Sequence, residues 1–96
     1  MTLTEIMQDI HACEEDMLVY ERKYGILTST FYAAYSAGEE PPLISWLGDW
    51  NDWAGAYEIW QRRQIQYQAV IDAIPLITLL SSVFIPKIRV QHLLCM

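Results

Sequence analysis

The stretch Asp49–Arg63, DWNDWAGAYEIWQRR, decides how this chain is read. It holds three of the four tryptophans and a tyrosine, with carboxylates between them and two arginines at its end. Extended in both directions, it places Trp46, Trp50, Trp53, Tyr57, Trp60, Gln64, Tyr67, Ile71 and Ile74 at steps alternating between 4 and 3. That alternation is the seam of a helix lying along another helix, and only Gln64 breaks its apolar character. Residues 50–74 are therefore predicted to form a long helix, with Asp49 as its cap and Trp46 as an alternative start. Pro75 disfavours helical geometry at Ile74 and ends it.

A matching seam lies upstream. Leu3, Ile6, Ile10, Cys13, Met17, Tyr20 and Tyr24 are spaced 3, 4, 3, 4, 3, 4, which predicts a helix over 3–24. Thr2 and Glu5 form a capping-box pattern, in which hydroxyl and carboxylate satisfy each other's backbone amides. Gly25 supplies a left-handed stop, with Ile26 placed to fold back on the last turn. Arg22 and Lys23 sit where the helix dipole favours cations. A short connecting helix is expected over 29–37, capped by Thr28 or Ser29, with Phe31 and Tyr35 on one face and Gly38 at its end. GEEPPL, residues 38–43, is a turn, because consecutive prolines cannot continue a helix.

Fold class follows: all-α, an antiparallel hairpin of two long helices joined by a short one. Residues 1–74 form one helical domain. Residues 75–96 are an apolar tail whose segments LITLL and SVFI suit strands or a short buried helix equally. The tail can pack on the hairpin or be a degenerate extension. A two-helix hairpin of this size buries one side of each helix, so the isolated hairpin is expected to be marginal. A third surface is needed: the tail, a second copy or another protein.

Composition narrows the function. The 96 residues are 53% hydrophobic, too many for a disordered chain. Net charge is −6, and residues 1–72 carry all twelve acids and four of the six bases. A non-specific nucleic-acid binder needs a basic stripe to displace counterions, and none is present. Glu5 and Asp9 stand where an export signal needs positive charge, so a cytoplasmic protein is expected. Ala73–Pro86 is uncharged for fourteen residues, short of the roughly 20 that span a bilayer. A small membrane-associated protein using 73–96 stays as an alternative.

No catalytic set emerges. There is no Gly-rich phosphate loop and no Ser-His-Asp or Cys-His arrangement. His11-x-Cys13 and His92-x-x-Cys95 offer zinc-type donors, but residues two apart on a helix point to different sides. Glu14-Glu15-Asp16 is a consecutive run rather than a pair of facing carboxylates. Neither an enzyme, a metal site nor a cofactor is expected, and both cysteines read as reduced thiols. An aromatic stripe at helical spacing is ordinarily core, intramolecular or between two copies. Trp and Tyr are also the residues enriched at binding hot spots. The candidate partner-binding residues are Trp50, Trp53, Tyr57, Trp60, Tyr20, Tyr24, Asp52 and Glu58. The acids Glu14, Glu15, Asp16, Asp49, Asp52 and Glu58 read as a solvated face that would attract a basic partner.

YERKYG at 20–25, Phe31, GEE at 38–40 and DWNDWAGAYEIW at 49–60 together resemble a family of small bacterial and cyanobacterial helical proteins. They are the antitoxin-like members of two-gene toxin–antitoxin modules. The resemblance covers roughly residues 3–70 and rests on Tyr20, Lys23, Tyr24, Gly25, Phe31, Gly38, Trp53, Ala54, Tyr57 and Glu58. Two departures stand out. The family's second long helix usually continues into a charged, Lys- and Glu-rich end, where this chain turns apolar after Ile71. Its aromatic seam is also unusually rich in Trp. The resemblance implies a protein-binding module that occludes a cognate toxin-like partner. The competing reading is a self-associating helical protein, a homodimer with no catalytic role.

Overall fold

The computed structural model describes residues 1–75 and Thr78. The expected tail structure and the His92–Cys95 donors lie outside the described residues. Among the described residues the protein is all-helical: α1 spans Leu3–Tyr24, α2 Thr28–Ser36 and α3 Leu47–Ala73, with one turn of 3-10 helix at Ile44–Trp46 before α3. No described helix is long and apolar enough to cross a membrane.

The predicted start of α1 is present atom for atom. Thr2 Oγ1 accepts from the Glu5 amide at 3.2 Å, and Glu5 Oε1 accepts from the Thr2 amide at 2.8 Å. Gly25 ends the helix at φ +78°, with its amide donating to the Glu21 carbonyl at 2.8 Å. Only a residue without Cβ takes that left-handed conformation at no steric cost. After α2 the cap is Ala37 in right-handed geometry, and Gly38, one residue further, takes the left-handed conformation at φ +89°.

Three local expectations are corrected. Asp49 does not cap α3. The helix begins at Leu47, three residues before the expected start at residue 50 and next to the alternative start at Trp46, which holds the cap position with no side-chain bond there. The preceding 3-10 turn carries the chain directly into α3, which leaves the Asp49 carboxylate free for another role. α2 begins at Thr28 rather than after it, with Leu27 at the cap position. Thr28 is buried, and its hydroxyl bonds to side chains of α1 and α3 instead of its own helix end. Finally, the acids do not form one solvated face: Glu14, Asp49 and Glu58 each accept a hydrogen bond from a side chain of another helix.

α1 and α3 pack along each other. Their contacts climb α3 as they descend α1: Tyr24 meets Trp46, Tyr20 meets Trp53, Glu14 meets Trp60 and Asp9 meets Arg63. On α1 the seam spacing selects the buried residues, since Ile6, Ile10, Cys13 and Met17 are the ones withdrawn from water. On α3 only Trp53 and Ala54 are fully buried. The other seam rings are partly covered, because α2 lies beside only part of that helix.

Candidate functional site

Trp53 is the centre from which the rest is built. It is fully buried, at 0% exposure. Phe31 of α2 stacks on it at 3.9 Å between ring centroids, 3° from parallel. Tyr20 and Tyr24 of α1 stack at 5.8 and 5.7 Å. Such ring pairs add about 0.5–1.5 kcal/mol each beyond the area they bury.

The indole N–H also has a partner, which a buried polar group requires. Trp53 Nε1 donates to Thr28 Oγ1 at 2.9 Å. Thr28 Oγ1 donates onward to Glu21 Oε2 at 2.8 Å, and the Thr28 amide donates to the same oxygen at 2.9 Å. One carboxylate of α1 thus caps the N-terminus of α2, where anions are favoured, and fixes the indole of α3 through a hydroxyl. All three helices are joined by a single relay.

A second junction sits at the turn end. Asp49 Oδ2 accepts from Lys23 Nζ and from Tyr24 Oη, both at 2.6 Å. The Lys23 ammonium and then the Tyr24 hydroxyl hold the Asp49 carboxyl below its ordinary range. The same bond to Asp49 raises Lys23. Tyr24 is raised first by burial and then by the hydrogen bond its hydroxyl donates to Asp49. Above this junction opens a half-enclosed cleft of about 290 Å³, with Tyr24, Ile26, Trp46 and Trp50 as walls, Phe31 and Trp53 beneath, and Lys23 at its rim.

The sequence-derived candidates divide accordingly. Trp53 is core. Tyr57 and Trp60 stack on each other at 5.7 Å, and Tyr57 meets Tyr32 of α2. Trp60 Nε1 donates to Glu14 at 3.1 Å, and Glu58 accepts from Tyr32 Oη at 2.7 Å. These four are turned mainly inward. Trp50 packs edge-on against Phe31 and shares the cleft with Tyr24, so both keep a wet side. Tyr20 is half-buried and Asp52 is exposed. The phenol of Tyr20 is raised, first by burial and then by the carboxylates of Asp52, Asp49 and Asp16 around it. The structure brings Trp50 and Tyr24 together in the cleft, and Tyr20 and Asp52 together beside an acidic flank.

Glu21, Thr28 and Tyr32 were not among the candidates. Glu21 lies seven residues from Thr28 across a turn, and 25 residues separate Thr28 from Trp53. No local spacing rule connects such positions. Cys13 is buried on the seam, and burial raises its thiol, as its place on an apolar face implies. Compared with known proteins, the chain matches no family model, no curated protein and no solved structure.

Proposed function

We propose that this chain is a protein-binding module of the antitoxin-like kind, an antiparallel helical hairpin that occludes a basic surface of another protein. One observation carries the reading: two exposed acids that accept no side-chain hydrogen bond among the described residues, Asp16 and Asp52, lie on either side of Tyr20. Glu58 turns to α2 through Tyr32. Asp52, six residues earlier, projects about 120° away around the helix. Glu21 reaches α2 through Thr28, and Asp16, five residues earlier, projects about 140° away. Asp16 and Asp52 are exposed and flank half-buried Tyr20.

An aromatic flanked by uncommitted carboxylates suits a basic partner, with the ring as anchor and the charges steering the encounter. The hairpin reading is supported by the opposed order of the α1–α3 contacts. No catalytic role is proposed. The test is co-expression with the adjacent reading frame, followed by pull-down and a growth assay. A neighbour that is toxic alone, bound by this chain and silenced by it is the expected result. A neighbour that neither binds nor harms growth removes the reading.

A further inference from the structure

Among the described residues, the turn end of the molecule carries an exposed apolar surface. The cleft between Tyr24, Trp46 and Trp50 is bordered by two apolar segments. Ile26 and Leu27 lie between α1 and α2, and Leu43, Ile44 and Leu47 lie on the approach to α3. All five are exposed, Ile44 at 84% and Leu27 at 66%. Contiguous apolar surface rimmed by polar groups marks a contact site on a soluble protein. Here the patch offers both a hole, the aromatic cleft, and projecting aliphatic side chains beside it.

We infer that this patch is a two-fold self-association surface, in which Ile44 and its neighbours of one copy enter the aromatic cleft of the other. A two-fold contact uses the same patch twice, so the patch must complement itself. This one does so in shape, by carrying knob and hole side by side. It does so in charge as well. The chain carries a net −6, which makes most of its surface repel a second copy. PPLISWLG, residues 41–48, has no charge, and the charged residue lining the cleft, Lys23, is paired with Asp49 of its own chain at 2.6 Å. With that pair neutralised, the patch presents no net charge to repel a second copy. A basic partner would find no free carboxylate in the cleft, since Asp49 is already paired with Lys23, so the patch fits a copy of itself better than it fits the partner proposed for the acidic flank. The inference stands apart from the neutraliser reading and uses a different face.

The experiment is sedimentation equilibrium of the full chain over a concentration series, with light scattering as a check. The expected result is a dimer that dissociates on dilution, with tryptophan emission shifting to the red as Trp46 and Trp50 become wet. Ile44→Asp should weaken the dimer at least about 30-fold, the loss that follows when a hot-spot anchor worth about 2 kcal/mol is removed. Far-UV circular dichroism should not change, because Ile44 makes little contact within its own chain. Leu27→Asn should weaken the dimer too while keeping its helix, since Asn suits the cap position of α2. Ile65→Asp, at an exposed aliphatic on α3 outside the patch, should leave the dimer intact. A wild-type chain that is monomeric up to its solubility limit overturns the inference. So does a dimer that survives Ile44→Asp and Leu27→Asn, or one that only Ile65→Asp dissociates. Binding of the neighbouring gene's product by the monomeric Ile44→Asp chain is read separately, so either proposal can fail without the other.

Discussion

The two ends of the α1–α3 pair share one sequence rule and differ in what that rule achieves. At the turn end, the 3-and-4 spacing brings Trp53 against Tyr20 and Tyr24, and α2 closes over it with Phe31 and Thr28. At the far end the same spacing continues through Gln64 and Tyr67, but the described residues leave a shallow groove of about 170 Å³ among Met7, Ile10, His11, Gln64 and Tyr67. The link there is an ion pair, Arg63 Nε to Asp9 Oδ2 at 2.8 Å, with the Asp9 carboxylate 41% exposed. Seam spacing selects the inward face of a helix. Full burial of an aromatic ring takes a third layer, and α2 supplies it at one end.

Substitutions can break this contrast, and the largest effect belongs at the turn end. Trp53→Ala empties a fully buried ring site and should cost about 3–5 kcal/mol in urea unfolding, with loss of helical signal in so small a domain. A cost near zero would mean that α2 does not seal that end. Thr28→Val comes next. It keeps the shape but removes the hydroxyl between the Trp53 indole and Glu21, leaving a buried N–H unpaired. About 1–3 kcal/mol should be lost, and Glu21→Gln should lose less, because the amide oxygen still accepts.

The turn-end junction should show itself in acid. The carboxyl of Asp49 is held below its ordinary range by the bonds from Lys23 and Tyr24. A group with a depressed folded-state pKa contributes its stability above the unfolded carboxylate value and loses it as pH falls through the folded one. Thermal midpoints of wild type and Asp49→Asn should therefore differ at neutral pH and converge as the pH drops below the carboxylate range. Parallel curves would show that the junction adds no stability. The smallest effect belongs to the far end. Arg63→Ala should cost no more than about 1 kcal/mol, the usual limit for a partly exposed ion pair. If it costs as much as Thr28→Val, the two ends are equally built and the contrast fails.

Much of this was legible residue by residue. The capping box at Thr2 and Glu5, the stop at Gly25 and the buried set Ile6, Ile10, Cys13 and Met17 follow from rules that span one or two helical turns. Asp49 shows where such rules stop. Its residue type suits a cap, yet a 3-10 turn begins the helix earlier and Lys23 and Tyr24 take the carboxylate. Glu58 likewise reads as a surface acid and is tied to Tyr32. Of the candidate binding residues, the aromatic spacing could not say which rings stay wet, because that depends on where a nine-residue helix lands.

The sequence by itself determined three helices, their facing seams and most of their ends, because backbone geometry and hydrophobic period are local and repeat every turn. Tertiary structure alone decided that Glu21, Thr28 and Trp53 form one relay, that Asp49 joins Lys23 and Tyr24, and that Asp16 and Asp52 remain unclaimed. Those outcomes depend on which side chains meet across helices, and the energy of a hydrogen bond between residues 25 apart leaves no mark on the order in which the residues are written.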